Sequence, residues 1–578
     1  MKHTKLHRKI HLLPRLVMVM VVIIVLGYFV SIYANSRYFI SQLSPTLLLN
    51  SYVPALEYYF NKPKTANNSH VIESNEQAIP VLLYHGIVTK DDGANVLIEN
   101  FKNQMFALKN AGYQTVTIDD FISYMEGKRR LPDKSFLLTF DDGRKDSYYP
   151  VDPILAALNY HAVMFVITKH AFVDTSSTYY LNKSELQQMV KSGRWDIQSH
   201  SQDGHDEMKI SKDNKQGHFY SNYLWLNNEN RLETESEYKQ RVINDLKGAK
   251  ADLEQLGVRV QTIALPYGDY GQDSINNPSA QNFLQHEIPS IYTYAFTSEG
   301  ASTDSSYNYP GDKTKFLSRI EVQNNWTPDN LIKVLSVGAA KEIPFTDNFS
   351  DYEGWIANDG DMNFIDNKMT LININGNSSS VYLDGTKLWK DYSYHLIADW
   401  GKGSNLLLVA RYNDIKNYVA CNFGNSLTRI EQRVNGKNKI LQETKYAIKL
   451  PIKQNLSLQV DGNTIKCASN NSLISQASFD GASLSEGGIG IMTWDKQKDN
   501  TEISMDQVLV ENNNLTAQPI ASASAKVVTN SKVNKQSQKR IYGGWYWQPQ
   551  LHKALVWLGK DKNGKDIWAT QLPLQHKK

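Results

Sequence analysis

The chain has 578 residues, which is too long for one hydrophobic core and predicts about three or four structural units. Its 62 basic and 59 acidic residues leave a net charge of +3, so charge gives no argument for nucleic acid as a partner. The two cysteines, Cys421 and Cys467, lack the spacing of a zinc site. They are expected to be structural or free thiols, although a pair can form outside the cell.

Residues 1–34 are predicted to be a basic cytoplasmic tail followed by a membrane anchor. A cluster of lysines and arginines precedes an apolar run over residues 16–32, which is at the short end for spanning a bilayer. The positive charge on this side places the N-terminus in the cytoplasm and the rest of a single-pass protein outside the cell. A cleaved signal peptide is the alternative, but residues 33–36 form a poor cleavage site.

Residues 35–77 are predicted to be a stalk, and residues 78–340 an α/β domain. In that domain strands at 81–84, 115–118, 135–140, 162–167, 195–199 and 262–265 alternate with helices at 99–111, 121–125, 152–159, 183–191 and 235–256. This rhythm favours a deformed (β/α) barrel of parallel strands. The charged helix 235–256 is expected to be a solvated barrel helix, and residues 206–234 an inserted loop.

Residues 341–512 show strands of period two separated by turn signals. The pattern predicts an all-β sandwich that resembles jelly-roll, concanavalin-like or laminin-G-like architectures, with possible carbohydrate binding. Residues 513–538 are predicted to be a flexible linker. Residues 539–578 are rich in aromatic side chains and are expected to contain a hairpin.

Two adjacent carboxylates, Asp141 and Asp142, end the apolar strand 135–140, and His200 follows another predicted strand, with His205 close behind it. Hydrolysis with zinc needs three protein ligands, an open position for water and a nearby base. In an α/β barrel such groups belong at the carboxyl ends of strands. The pattern therefore indicates metal-assisted hydrolysis of an amide or ester.

The Thr-Phe-Asp-Asp-Gly run at 139–143, the His-Ser pair at 200–201 with a second histidine at 205, and the segments 79–85 and 265–269 resemble one family. It is the polysaccharide deacetylases of the NodB-homology type, carbohydrate esterase family four. The second histidine comes one residue later than in the commonest form of the family. This longer spacing is similar to the branch that de-N-acetylates poly-β-1,6-N-acetylglucosamine.

The resemblance implies that Asp142, His200 and His205 hold one divalent metal ion, Zn²⁺. It also implies that Asp141 is the catalytic base and that the backbone N–H of Tyr267 binds the oxyanion.

Two family features depart from the usual pattern. Ala264 stands where the family usually has an arginine that steadies the base, and we hypothesise that Arg319 orients Asp141 instead. The family's late Leu-x-His motif, with its proposed general acid, has no clear match after residue 335. The residues predicted to contact substrate are His85, Pro266 and Trp326.

The sequence thus predicts a membrane-anchored extracellular enzyme that removes acetyl groups from an N-acetylated polysaccharide and releases acetate. A peptidoglycan or chitin-type deacetylase and a non-catalytic surface carbohydrate-binding protein are the alternatives. No protein partner is evident.

Overall fold

The computed structural model describes most of the chain between residues 78 and 513. The described residues are 20–22, 25, 73–74, 78–173, 177–298, 307–311, 314–350, 354–372, 378–446, 452–494, 501–513, 554–560 and 566–571. Apart from a few of these positions, the predicted anchor at 16–32, the stalk at 35–77 and the linker at 513–538 lie outside the described residues. No described helix combines the length and apolarity needed to cross a membrane.

Parallel strands form a nearly closed barrel between residues 79 and 321. They are β1 (Ile79–Tyr84), β2 (Ser135–Phe140), β3 (Ala162–Val166), β4 (Trp195–Ser199), β5 (Thr262–Ala264), β6 (Tyr294–Phe296), β7 (Phe316–Leu317) and β8 (Ile320–Glu321). β1 to β7 lie side by side in chain order, and β8 returns to pair with β1. The predicted barrel is therefore confirmed, with very short closing strands.

The barrel closes at residues 316–321. β7 pairs with β6, and the chain then shifts across the gap so that β8 pairs with β1. Between the two strands the side chain of Asn308 bonds the backbone of Ser318: Nδ2 donates to the carbonyl at 2.9 Å, and Oδ1 accepts from the N–H at 3.0 Å. Arg319 follows directly after this point.

Alternate residues of each strand face the barrel interior and the surrounding helices. Val81, Leu137 and Phe165 belong to the interior cluster, whereas Leu138 packs with the helices. On β2 the inward series that includes Leu137 continues through Thr139 to Asp141, which is why a carboxylate reaches the upper end of the barrel interior.

The helices that surround the barrel are α1 (Ile98–Asn110), α2 (Ile118–Met125), α3 (Asp152–Leu158), α4 (Lys183–Ser192), α5 (Glu235–Glu254), α6 (Ala280–Ile291) and α7 (Pro328–Gly338). The predicted strand at 115–118 is wrong beyond its first residue, because the strand is Gln114–Thr115. Thr117 instead caps α2, since its side chain accepts a hydrogen bond from the N–H of Asp120.

The inserted segment between β4 and α5 is folded into two short antiparallel ribbons. Glu207–Lys209 pairs with Gln216–His218, and Trp225–Leu226 pairs with Arg231–Leu232.

The all-β region consists of two antiparallel sheets around one core, as predicted. Its strands are β9 (Phe345–Asp347), β10 (Trp355–Asp359), β11 (Asp361–Ile365), β12 (Lys368–Ile372), β13 (Ser378–Leu383), β14 (Tyr392–Lys402), β15 (Asn405–Asp414), β16 (Asn417–Gly424), β17 (Thr428–Val434), β18 (Lys437–Thr444), β19 (Ile452–Asp461), β20 (Thr464–Ser469), β21 (Ser472–Ser478), β22 (Gly488–Trp494) and β23 (Glu502–Asn512). One sheet runs β11-β12-β23-β14-β19-β20-β21, with β9 beside β23, and the other runs β10-β13-β22-β15-β16-β17-β18.

Cys421 on β16 and Cys467 on β20 are disulfide-bonded in the core between the two sheets. The expectation of free thiols is therefore wrong, and the pairing that the sequence left open is the one present.

Near the C-terminus, β24 (Ala554–Lys560) and β25 (Asp566–Gln571) form the expected antiparallel pair. They belong to a separate compact unit, Ile520–Lys578.

Candidate active site

The carboxyl ends of β1, β2, β4 and β5 meet around one cavity of about 260 Å³. Because parallel strands all end at the same edge of a barrel, residues that directly follow them are brought together although they are far apart in sequence. The lining residues are Leu83, His85, Asp141, Asp142, His200, His205, Leu265, Tyr267, Ser298, Arg319 and Glu321. Sequence reasoning missed Ser298 and Glu321, and it assigned no role to Leu83 and Leu265 within the motif segments that contain them.

Asp142, His200 and His205 present ligand atoms that lie within 4.8 Å of one another. Oδ1 of Asp142 is 3.5 Å from Nε2 of His200 and 3.3 Å from Nε2 of His205. In the described part of the chain this buried oxygen has no hydrogen-bond partner. An unpartnered buried carboxylate oxygen facing two imidazole nitrogens fits a divalent cation, since such an atom is costly to bury otherwise.

The orientation of His200 suits a metal ligand. Its Nδ1 lies 2.8 Å from the carbonyl oxygen of Ala264. This contact assigns the proton to Nδ1, which leaves the lone pair of Nε2 directed toward Asp142. Ala264, at the place of the usual family arginine, therefore contributes through its backbone.

The two adjacent acids diverge because the backbone turns sharply between them. Asp141 continues the strand, with its N–H donating to the carbonyl of Tyr84 at 3.1 Å. Asp142 and Gly143 then adopt left-handed conformations, with φ of 71° and 70°. Left-handed backbone is rare for residues other than glycine and is often found at functional sites. The turn gives the two carboxylates different closest partners, although Nε2 of His200 lies 3.9 Å from Oδ2 of Asp141 as well as 3.5 Å from Oδ1 of Asp142.

Asp141 forms a two-pronged ion pair with Arg319. Nη1 and Nη2 of Arg319 donate to its two oxygens at 2.7 and 2.8 Å, and both side chains are nearly fully buried. Burial opposes ionisation of Asp141, but Arg319 and then His200 outweigh it and hold the pKa of Asp141 below its usual value. Arg319 thus makes the contact that its predicted role requires, and it keeps Asp141 ionised.

Tyr267 lies in the turn after β5 with a φ of 59°. Its hydroxyl donates to the carbonyl of His205 at 2.7 Å, and its ring stacks on His218 with centroids 4.3 Å apart. His218 in turn lies 2.6 Å from Oδ2 of Asp269 through Nδ1. The inserted segment therefore supplies a histidine beside the predicted oxyanion turn, a role that its isolated position in the sequence did not indicate.

His85 follows β1 and lies at the cavity wall, with Nδ1 3.8 Å from Oε1 of Glu321. Pro266 and Trp326 are not among the lining residues. Pro266 is buried within its turn, and Trp326 is partly buried against the hydrophobic cluster between the strands and the helices.

Residues 128–283 match the family model described as polysaccharide deacetylase. A poly-beta-1,6-N-acetyl-D-glucosamine N-deacetylase of Staphylococcus epidermidis is 30% identical over 189 residues, which cover 30% of this chain and 63% of that protein. The enzyme of the same name from Staphylococcus aureus is 29% identical over 177 residues, with 30% and 54% covered. The chain therefore spans only part of the length of these curated relatives.

Solved structures are also similar to part of this chain. A de-N-acetylase from Aggregatibacter actinomycetemcomitans is 22% identical, with 44% of this chain and 99% of that chain covered and a TM-score of 0.38. IcaB from Ammonifex degensii is 23% identical, with 45% and 96% covered and a TM-score of 0.34.

Proposed function

We propose that the protein, whose residues 128–283 match the family model described as polysaccharide deacetylase, removes N-acetyl groups from a poly-β-1,6-N-acetylglucosamine-like polysaccharide and releases acetate. The names of the curated relatives support this substrate class. The observation that carries the proposal is that one cavity is lined both by three candidate metal ligands and by the ion pair of Asp141 with Arg319.

Asp142, His200 and His205 are the residues that would hold the metal ion, for which Zn²⁺ suits a site of two imidazoles and one carboxylate. When bound, the ion supplies a Lewis acid that polarises the amide carbonyl and lowers the pKa of water.

Asp141 accepts the proton of the attacking water. Its ionised state, held by Arg319, makes it a base at neutral pH, and its fixed carboxylate limits the directions from which water can approach. The backbone N–H of Tyr267 donates to the amide carbonyl oxygen, where negative charge develops.

His85 is the lining residue best suited to protonate the leaving amine. Its side chain is 37% exposed at the cavity wall, and its Nδ1 lies 3.8 Å from Oε1 of Glu321. Proton delivery completes cleavage of the C–N bond, so that acetate and a free amine remain.

The proposal extends to location: the catalytic domain lies outside the cell, held by the apolar run at 16–32. The disulfide between Cys421 and Cys467 supports an oxidising compartment.

A panel of oligosaccharides tests the substrate class. Acetate release from β-1,6-linked N-acetylglucosamine oligomers is compared with release from β-1,4-linked chitin oligomers and from peptidoglycan fragments. The proposal expects the highest kcat/KM on the β-1,6 oligomers. Preference for either β-1,4-linked substrate would reassign the protein to the peptidoglycan or chitin type.

A further inference from the structure

The segment that carries the second metal histidine, residues 200–205, is held by side chains outside the metal site. We call it the ligand loop. His200 is fixed at its start, with its side chain 2% exposed, but the side chain of His205 is 30% exposed at its end. Between them Ser201 adopts a left-handed conformation with φ of 81°. The placement of His205 therefore depends on what holds the backbone of the loop.

Asp245, on the inner face of α5, binds this backbone directly. Its Oδ1 accepts from the N–H of Gln202 at 3.2 Å, and its Oδ2 accepts from the N–H of Asp203 at 2.6 Å. The hydroxyl of Tyr220, from the inserted segment, also donates to Oδ1.

Asp245 is 4% exposed, and in the described part of the chain no cationic side chain pairs with it. Burying a carboxylate without a cation is costly, and its three hydrogen bonds offset part of that cost. Two of the three hydrogen bonds come from backbone N–H groups of the ligand loop. Displacement of the loop would therefore leave Asp245 with the Tyr220 hydroxyl as its one remaining donor among these three.

Steric contacts reinforce these bonds. A Cβ on Gly204 would lie 2.6 Å from the Tyr220 ring, so the ring packs against the loop backbone. Gly248 of α5 also leaves room for the side chain of Gln202, which donates to Asp252 at 2.8 Å. The loop is thus enclosed between the inserted segment and α5.

We propose that Tyr220 and Asp245 are positioning residues that hold the ligand loop so that His205 can bind the metal ion. This inference rests on the proposed function in taking His205 as a metal ligand. It gives the inserted segment a task, and it corrects the view of α5 as only a solvated barrel helix, because one face of that helix anchors the site.

Zinc affinity tests the inference, since Zn²⁺ alone is the probe and deacetylation is not required. The affinity of the full chain is measured by competition with a chelator for the parent, Tyr220→Phe and Asp245→Asn. The matched control is Tyr160→Phe, which removes a buried hydroxyl that donates to the Tyr113 carbonyl at 2.8 Å, away from the site.

We expect zinc affinity to fall about 10-fold in Tyr220→Phe and up to about 100-fold in Asp245→Asn, the range for outer residues that orient ligands. We also expect faster amide hydrogen exchange at Gln202 and Asp203 in Tyr220→Phe, and the parent affinity in Tyr160→Phe. If Tyr220→Phe folds and keeps the parent zinc affinity, the inference is overturned. A parent protein that binds zinc without releasing acetate would refute the proposed function alone.

Discussion

At the scale of single residues, the site depends on two adjacent carboxylates with different neighbours. Asp141 faces Arg319, and Asp142 faces two histidines. The guanidinium holds Asp141 at both oxygens, which fixes the direction of the carboxylate as well as its charge.

Arg319→Gln removes the charge that lowers the pKa of Asp141. Burial then dominates, so the pKa of Asp141 rises and the acidic limb of the kcat/KM profile shifts to higher pH. Misplacement of the carboxylate is expected to lower kcat by about 100-fold.

Arg319→Lys is the matched control for charge, because lysine keeps the positive charge but cannot donate from two parallel N–H groups to both oxygens of Asp141. We expect a smaller shift of the acidic limb with a clear loss of kcat. An unshifted limb in Arg319→Gln would contradict the assigned role of Arg319.

The pair of His218 and Asp269 gives a pH dependence of stability. The hydrogen bond from His218 to Asp269 raises the pKa of His218, and the pKa of Asp269 is lowered by His218 and its other donors despite burial. His218 therefore contributes fully to the free energy of unfolding at pH values below the pKa that it has in the unfolded chain. This contribution is lost as the pH rises through the higher pKa of His218 in the folded protein. The aspartate contribution is lost as pH falls through its lowered folded pKa.

His218→Phe keeps an aromatic ring against Tyr267 and removes the ion pair. We expect it to lower the free energy of unfolding by about 1.5–3 kcal/mol near pH 5–6 and by less at pH 8. Urea unfolding at both pH values measures the difference. An effect that is equal at the two pH values would contradict this assignment.

The sequence singles out Asp142, His200 and His205 because they lie just beyond predicted strands, or in the short loop that follows one, and stand in motif order, and the structure brings their ligand atoms together. Arg319 was also predictable, since an ionised buried base needs a cation. Asp245 and His218 were not predictable, because their roles come from contacts across 42 and 51 residues that no local pattern records. Nor does periodicity show which residues of a charged helix are buried.

At the scale of elements, the closure of the barrel places Arg319. The strand must leave β6 and join β1 within residues 316–321, so the backbone of Ser318 falls between two ladders. The side chain of Asn308 bonds both the N–H and the carbonyl of Ser318. Local propensity cannot predict a side chain that replaces strand pairing in this way.

Local propensity also led to the wrong strand at 115–118. The β-branched residues there favour a strand, but the cap at Thr117 starts a helix.

Asn308→Ala leaves the N–H and carbonyl of Ser318 without these partners. We expect the free energy of unfolding to fall by about 1–3 kcal/mol and kcat to fall with it, because Arg319 is the next residue. Denaturant unfolding and steady-state kinetics provide the measurements. Asn308→Asp keeps an acceptor for the Ser318 N–H but turns a buried carboxylate oxygen toward the Ser318 carbonyl, so it should lose at least as much stability as Asn308→Ala near pH 7. A clearly smaller loss in Asn308→Asp would contradict the explanation.

At the scale of the whole molecule, the β-sandwich is cross-linked by a disulfide bond and the barrel is not part of that link. The disulfide joins β16 to β20 and closes a loop with a sequence separation of 46 residues. By loop-closure entropy, a link of this length contributes about 4 kcal/mol. The sequence predicts the sandwich from its period-two strands, but it could not pair the cysteines, since their proximity depends on how the two sheets pack.

The double variant Cys421→Ser with Cys467→Ser is expected to unfold at a lower temperature by calorimetry, while zinc affinity stays at the parent value because the ligands lie in the barrel. Loss of zinc affinity in a folded double variant would contradict this separation.

The most direct test of the central claim is acetate release from a β-1,6-linked N-acetylglucosamine oligomer, with zinc-loaded parent protein beside Asp141→Asn. The account predicts turnover by the parent, and at least about 100-fold less turnover by Asp141→Asn with zinc still bound, because the variant keeps the ligands and loses the base. A parent that binds zinc but releases no acetate from any N-acetylated oligomer, or an Asp141→Asn variant with parent turnover, would contradict it.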